Sequence, residues 1–160
     1  MKTLLLYYSR NQCVRRLCEE SAKNDQIDVV ELRERFSRGK VWHATMGVYK
    51  AVSGAGQKLE EVDINLDEYD SIIIASPVLG FSPAPVINEF LHRTNFSGRE
   101  VSGLLIHPGK TSGAAGDALR KRIKLAGGVC NGIVCVPIKE LKETRCNVCS
   151  LTKLKIQRAV

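Results

Sequence analysis

Short apolar runs alternate with helically spaced apolar positions along most of this chain, and that alternation predicts its architecture. Lys2 to Tyr8 is mostly apolar and ends in a polar turn, so it predicts a strand buried on both faces. Val14, Leu17, Cys18 and Ser21 follow at helical spacing, and Asn24-Asp25 closes that helix with turn chemistry. Ile27 to Leu32, Ser71 to Ala75, Val101 to Ile106 and Gly132 to Val136 are further strand candidates. Between them, Val86 to Arg93 and Ala114 to Leu125 gather apolar residues on one face and predict crossover helices. Parallel neighbours cannot be joined by a tight turn, so strands linked through helices imply a parallel sheet covered on both faces. Arg33 to Leu66 is the least regular stretch; within it Trp42, Met46, Val48, Tyr49 and Val52 predict a short helix ended near Gly54 and Gly56. The tail from Lys139 to Val160 fits a last helix only loosely.

At 160 residues, with no internal repeat and no linker-like tract, the chain reads as one domain spanning 1–160. No apolar run reaches the roughly 18 residues of a membrane span, and the opening run is too short for a signal peptide, so a cytoplasmic protein is expected. The six cysteines are then free thiols by default rather than a disulfide framework. A net charge of +7 can attract nucleic acid, anionic lipid or an acidic protein and does not by itself choose among them, yet no basic stripe interleaved with aromatics marks a nucleic-acid surface.

In an open parallel sheet, ligands bind beyond the carboxyl ends of the strands, where the strand order reverses. Three loops leave such ends: Ser9-Arg10-Asn11-Gln12-Cys13-Val14, then Ser76-Pro77-Val78-Leu79-Gly80-Phe81-Ser82-Pro83, then His107-Pro108-Gly109-Lys110-Thr111. Cys146-x-x-Cys149 has the spacing of a redox dithiol or half of a zinc site. Cys130 and Cys135, five apart on a strand, are expected on opposite faces and so do not complete a zinc site. Cys13, at a helix N-terminus, is expected to have a lowered thiol pKa. No catalytic residue and no metal ligand is singled out.

The opening YYSR, the central LDEYDSIIIASPV and the following FSPAP resemble the flavodoxin family, over Lys2 to about Ile138. Even WHATMGVYKAVSG is similar to an insertion before the third strand in some members. The resemblance implies a flavodoxin-like α/β three-layer sandwich, a five-stranded parallel sheet of order 2-1-3-4-5, and FMN held across the same three loops. By that likeness Ser9 to Val14 take the phosphate, and Ser76, Pro77, Val78, Leu79, Gly80, Phe81, His107, Pro108 and Gly109 flank the flavin ring. Family members carry Thr-x-Thr-Gly-Asn-Thr in the first loop. Here Gln12 replaces the glycine, Cys13 the asparagine and Val14 the last threonine, leaving Ser9, Asn11, main-chain donors and the guanidinium of Arg10. Leu79 stands where many members stack an aromatic on the flavin, with Phe81 two residues on as a substitute. The function implied is FMN-dependent electron transfer with an acidic redox partner. A flavin-free binding module and an FMN-dependent reductase of a small substrate are the alternatives.

Overall fold

The computed structural model describes residues 2–23, 26–35, 59–109 and 113–143. Along them run β1 (Thr3–Tyr7), α1 (Gln12–Ser21), β2 (Ile27–Glu31), β3 (Ser71–Leu79), β4 (Ser82–Pro83), α2 (Pro85–Arg93), β5 (Glu100–His107), α3 (Ala114–Leu125), β6 (Val129–Pro137) and α4 (Ile138–Glu143). The long strands pair in parallel in the order β2-β1-β3-β5-β6, which is 2-1-3-4-5 once the two-residue β4 is set aside.

Period-two alternation sends the central side chains to two cores. Leu4, Leu6, Ile72, Ile74, Val101 and Leu105 face one side, where Val86, Ile87 and Phe90 of α2 and Leu119 and Ile123 of α3 cover them. Leu5, Tyr7, Ile73, Ala75, Leu104 and Ile106 face the other, beneath Val14, Leu17 and Cys18 of α1 and Ile138 of α4. Two helical layers thus enclose the sheet, as a parallel sheet requires. No helix among the described residues is long and apolar enough to cross a membrane.

Three boundaries differ from those the apolar pattern predicts. β3 continues past Ala75 to Leu79, and its end folds back on β4 through the antiparallel pairs Val78↔Pro83 and Leu79↔Ser82. β1 stops opposite Ala75, so on that side Pro77 meets no ladder to interrupt. β6 starts at Val129, three residues before Gly132, because a bulge absorbs Asn131 between the pairs Val101↔Cys130 and Ser102↔Gly132. That extra residue resets the alternation, so Cys130 and Cys135 both pack against the α2/α3 core and not on opposite faces. α4 begins directly at Ile138; the tail beyond it, with Cys146 and Cys149, and the helix expected around Trp42 lie outside the described residues.

The turn from α3 to β6 is a glycine-dependent joint. Gly127 N–H donates to the Lys124 carbonyl at 3.0 Å and Gly128 N–H to the Ile123 carbonyl at 2.9 Å, the paired bonds that cap a helix through a left-handed residue. Gly127 has φ +72°, and a Cβ there would sit 2.7 Å from Asn95 Oδ1. The expected result for Gly127→Ala is a loss of about 1–2 kcal/mol from the left-handed conformation alone, read as a lower urea midpoint at unchanged slope.

Candidate functional site

The ends of β1, β3 and β5 form one rim of the sheet. At the β1 corner, Tyr8 N–H donates to the Ala75 carbonyl at 3.1 Å and Leu32 N–H to the Tyr7 carbonyl at 2.7 Å, tying β1 to both neighbours at its last residues. The Tyr8 hydroxyl donates to Glu34 Oε1 at 2.5 Å across a 26-residue separation. Beyond Tyr8, the Ser9 hydroxyl accepts from Asn11 N–H at 3.1 Å and donates to the Asn11 carbonyl at 2.7 Å, which turns the chain into α1.

Ser9 is buried, whereas Arg10, Asn11 and Gln12 are exposed. The first turn of α1 holds no acidic residue, and its N–H groups have no partner within the helix. Charges of both signs stand near this end. Arg15 is held by Glu31, with Nη2 at 2.6 Å, and Arg33 binds the other oxygen of Glu31 at 3.0 Å, but Arg10 makes no ion pair among the described residues. Val14 is different: at 2% exposure it belongs to the core under α1, so only its main chain faces the rim. A threonine at 14 would place its hydroxyl among Leu5, Tyr7 and Leu17, whereas position 12 is open to change. The Cys13 side chain lies outside the described part of the structure.

The second corner is a hairpin rather than a loop. Gly80 has φ +64° and Phe81, at the second central position, has a negative φ, the pattern of a two-residue type II′ turn whose first position favours glycine. This turn lifts Phe81 to the tip, 63% exposed, while Leu79 packs back against the core. Phe81 is therefore not a core residue. The base of the hairpin is locked: Ser76 Oγ accepts from Ala84 N–H and donates to the Pro77 carbonyl, both at 3.0 Å. From below, Arg122 Nη1 of α3 donates to Ser82 Oγ at 2.9 Å.

His107 closes β5 and supplies the third corner, with Pro108 and Gly109 exposed beyond it; Lys110 and Thr111 lie outside the described residues. The His107 ring is buried, and among the described residues its Nδ1 has no hydrogen-bond partner. A buried polar atom left unpaired is rare. The structure thus brings Ser9 to Gln12, Ser76 to Phe81 and His107 to Gly109 to one end of the sheet. Among the described residues no group of His, Cys, Asp and Glu could hold a metal ion. Burial raises the Cys135 thiol pKa, which makes it a poor nucleophile.

Solved structures share this architecture at low identity. A flavoprotein from Lactobacillus acidophilus NCFM, crystallised in complex with FMN, is 21% identical over 84% of this chain and 92% of its own, with a TM-score of 0.72. A putative flavoprotein from Bacteroides uniformis is 19% identical over 89% and 96%, at 0.70. A flavodoxin from the domain Archaea is 15% identical over 89% and 90%, at 0.51. No family model and no curated protein matches the chain. The fold is flavodoxin-like.

Tyr7, 3% exposed at the end of β1, has its phenol pushed up to about 12, first by burial and then by the charge of Glu31. The folded chain therefore holds this proton more tightly than the unfolded chain, whose tyrosine titrates near 10. Stability from this group is full below about pH 10 and is lost as pH rises toward 12. Urea midpoints measured through that window should fall, and Tyr7→Phe should flatten the fall; an unchanged pH slope would show that Tyr7 does not cause it.

Proposed function

We propose that this chain binds flavin mononucleotide at the rim formed by β1, β3 and β5 and serves in electron transfer. One observation carries the reading: an anion-receptive helix start, an exposed aromatic on a hairpin pinned at its base and the imidazole that ends β5 converge on one end of a flavodoxin-like sheet. They match the three parts of the cofactor, namely its phosphate, its flat ring and its polar ring edge. That a flavoprotein of similar architecture crystallised with FMN adds support.

The N–H groups opening α1 would hold the phosphate with the helix dipole behind them, and Arg10 would clamp it with two parallel donors. Gln12 in place of the family's glycine keeps side-chain bulk where the main chain would otherwise approach closely, which weakens this end. Phe81 would offer its face to the ring, and the locked base beneath it keeps that face from collapsing into the core. His107, at the end of β5, would border the ring edge. Bound flavin supplies the redox chemistry; the chain binds, orients and shields it. No side chain is asked to act as nucleophile.

Titration of the purified chain with FMN should give saturable quenching of flavin fluorescence at one site and micromolar protein. Phe81→Ala should weaken binding about 10-fold, near 1.4 kcal/mol, while leaving the urea midpoint in place because the ring is exposed. Absence of saturable quenching would favour the flavin-free binding module.

The charge of +7, from 24 Lys and Arg against 17 Asp and Glu, points to a redox partner with an acidic surface. Salt screens such fields over roughly 10 Å at about 0.1 M. Electron exchange with an acidic donor should therefore slow as ionic strength rises, and exchange with a basic one should speed up. Indifference to salt would mean that the charge is an evenly solvated surface.

A further inference from the structure

The hairpin that carries Phe81 has little main-chain structure of its own. Its ladder is two pairs, Val78↔Pro83 and Leu79↔Ser82, and Pro83 has no N–H to give. Isolated two-stranded hairpins are marginal in water, and among the described residues β4 pairs with β3 alone. Side chains must therefore fix the ribbon. Ser76 Oγ accepts from Ala84 N–H, but Ser76 belongs to β3, so this bond ties the ribbon to its own first strand. Asn88 Nδ2 of α2 reaches the Pro83 carbonyl only at 3.5 Å, beyond the range of a good hydrogen bond. The short bond to a helix is that of Arg122 Nη1 of α3, which donates to the buried Ser82 Oγ at 2.9 Å.

Arg122 is partly buried, and burial lowers its guanidinium below the ordinary arginine value. No carboxylate pairs with it among the described residues, and none of the residues lining the α2/α3 cavity beside it is acidic. The neighbouring guanidiniums differ, since Arg93 is paired with Glu89 and Arg120 with Asp117. A desolvated cation without a counterion is unfavourable, and an unbranched apolar side chain would fill the same space in a helix without that penalty. Packing alone therefore does not account for a guanidinium at this position, whereas a charge-assisted bond to Ser82 does.

We infer that Arg122 is a positioning residue for the aromatic at the rim: acting from α3 through Ser82, it sets the hairpin from which Phe81 meets the flavin ring. The ring-facing role rests on the flavin reading; the tie between α3 and the hairpin does not. Ser82 directly follows Phe81 and closes the turn against Leu79, so whatever fixes Ser82 fixes the direction in which Phe81 leaves the ribbon. Without the donor the ribbon frays from Ser82, and ring binding must then order a segment that was ordered in advance. A packing role would depend on the aliphatic stem of Arg122, and a positioning role depends on its donor.

The test uses the full chain, read by amide order parameters and by FMN titration. Order parameters at Gly80, Phe81 and Ser82 should be about 0.85 in the unaltered chain and fall below about 0.6 in Arg122→Met, which keeps the stem and drops the donors. Those of β1 and β5 should hold, which shows that the variant is folded. Ser82→Ala should loosen the hairpin equally from the other end, and the two substitutions together should add nothing, since one bond is lost once. Arg122→Lys, which keeps a donor, should recover part of the order. FMN affinity should drop about 5-fold in Arg122→Met, yet in a Phe81→Ala background the same substitution should cause no further drop, because no ring is left to position. A hairpin as ordered in Arg122→Met as in the unaltered chain would overturn the tie, whether or not flavin binds. A loosened hairpin with unchanged FMN affinity, or an equal drop in the Phe81→Ala background, would overturn the positioning role and leave the flavin reading intact. If the unaltered chain binds no FMN, the flavin reading falls and the ring-facing role with it, and the order parameters still decide the tie.

Discussion

Ile72, Ile73 and Ile74 hold β3 between β1 and β5, with ladders on both edges and side chains sealed from water on both faces. A parallel strand in this position has no solvent to satisfy its main chain, so its neighbours must be in register from end to end. The pairs Tyr7↔Ala75 and Pro77↔Ile106 fix how far each strand reaches beyond the next. From that stagger come the level of the rim, the angle at which α1 leaves β1, and the free run of β3 that folds into the hairpin. Gly103 serves the same pairing from one side: a Cβ there would meet Leu119 and Ile133 side-chain carbons at 2.6 and 2.5 Å, so its absence lets α3 lie close to β5. The site is thus a by-product of how the central strand is packed, and its corners cannot be displaced without disturbing the core.

The five strands and their crossovers were legible because burial on both faces demands continuous aliphatic runs, and runs such as Ser71 to Ala75 admit few other readings. What escaped was local. Pro77 and Gly80 carry the chemistry of turns, so the pattern ends the strand at Ala75; only the early stop of β1 lets Pro77 remain in it. The bulge at Asn131 left no mark in the pattern, and with it the shared face of Cys130 and Cys135 went unseen. A period of two carries no information about an inserted residue.

For the site, position was readable and orientation was not. Ser9, Gly80, Phe81 and His107 follow from which strands end where, but Leu79 and Phe81 are both apolar, and the turn alone decides which is buried. Val14 follows α1 periodicity into the core even though it stands in the loop's register, so helix geometry overrides the resemblance there. Arg122 and Asn88 had no signature at all. On a helical face they look like ordinary solvated residues, and the bond of Arg122 to Ser82 and the burial of Asn88 become visible only when the hairpin and the core are in place.

The two sides of the rim are also unequal in stiffness. The hairpin is stapled over sequence separations of 8 and 40 residues by Ser76 and Arg122, whereas the Ser9 hydroxyl bonds only two residues along, inside its own turn. A molecule arriving at the hairpin meets a surface already in its final shape. One arriving at the first turn meets a segment held by the reciprocal bonds of Ser9 and Asn11. For the proposed flavin, the ring side would meet a surface held by bonds between distant residues, and the phosphate side a turn held by bonds within itself.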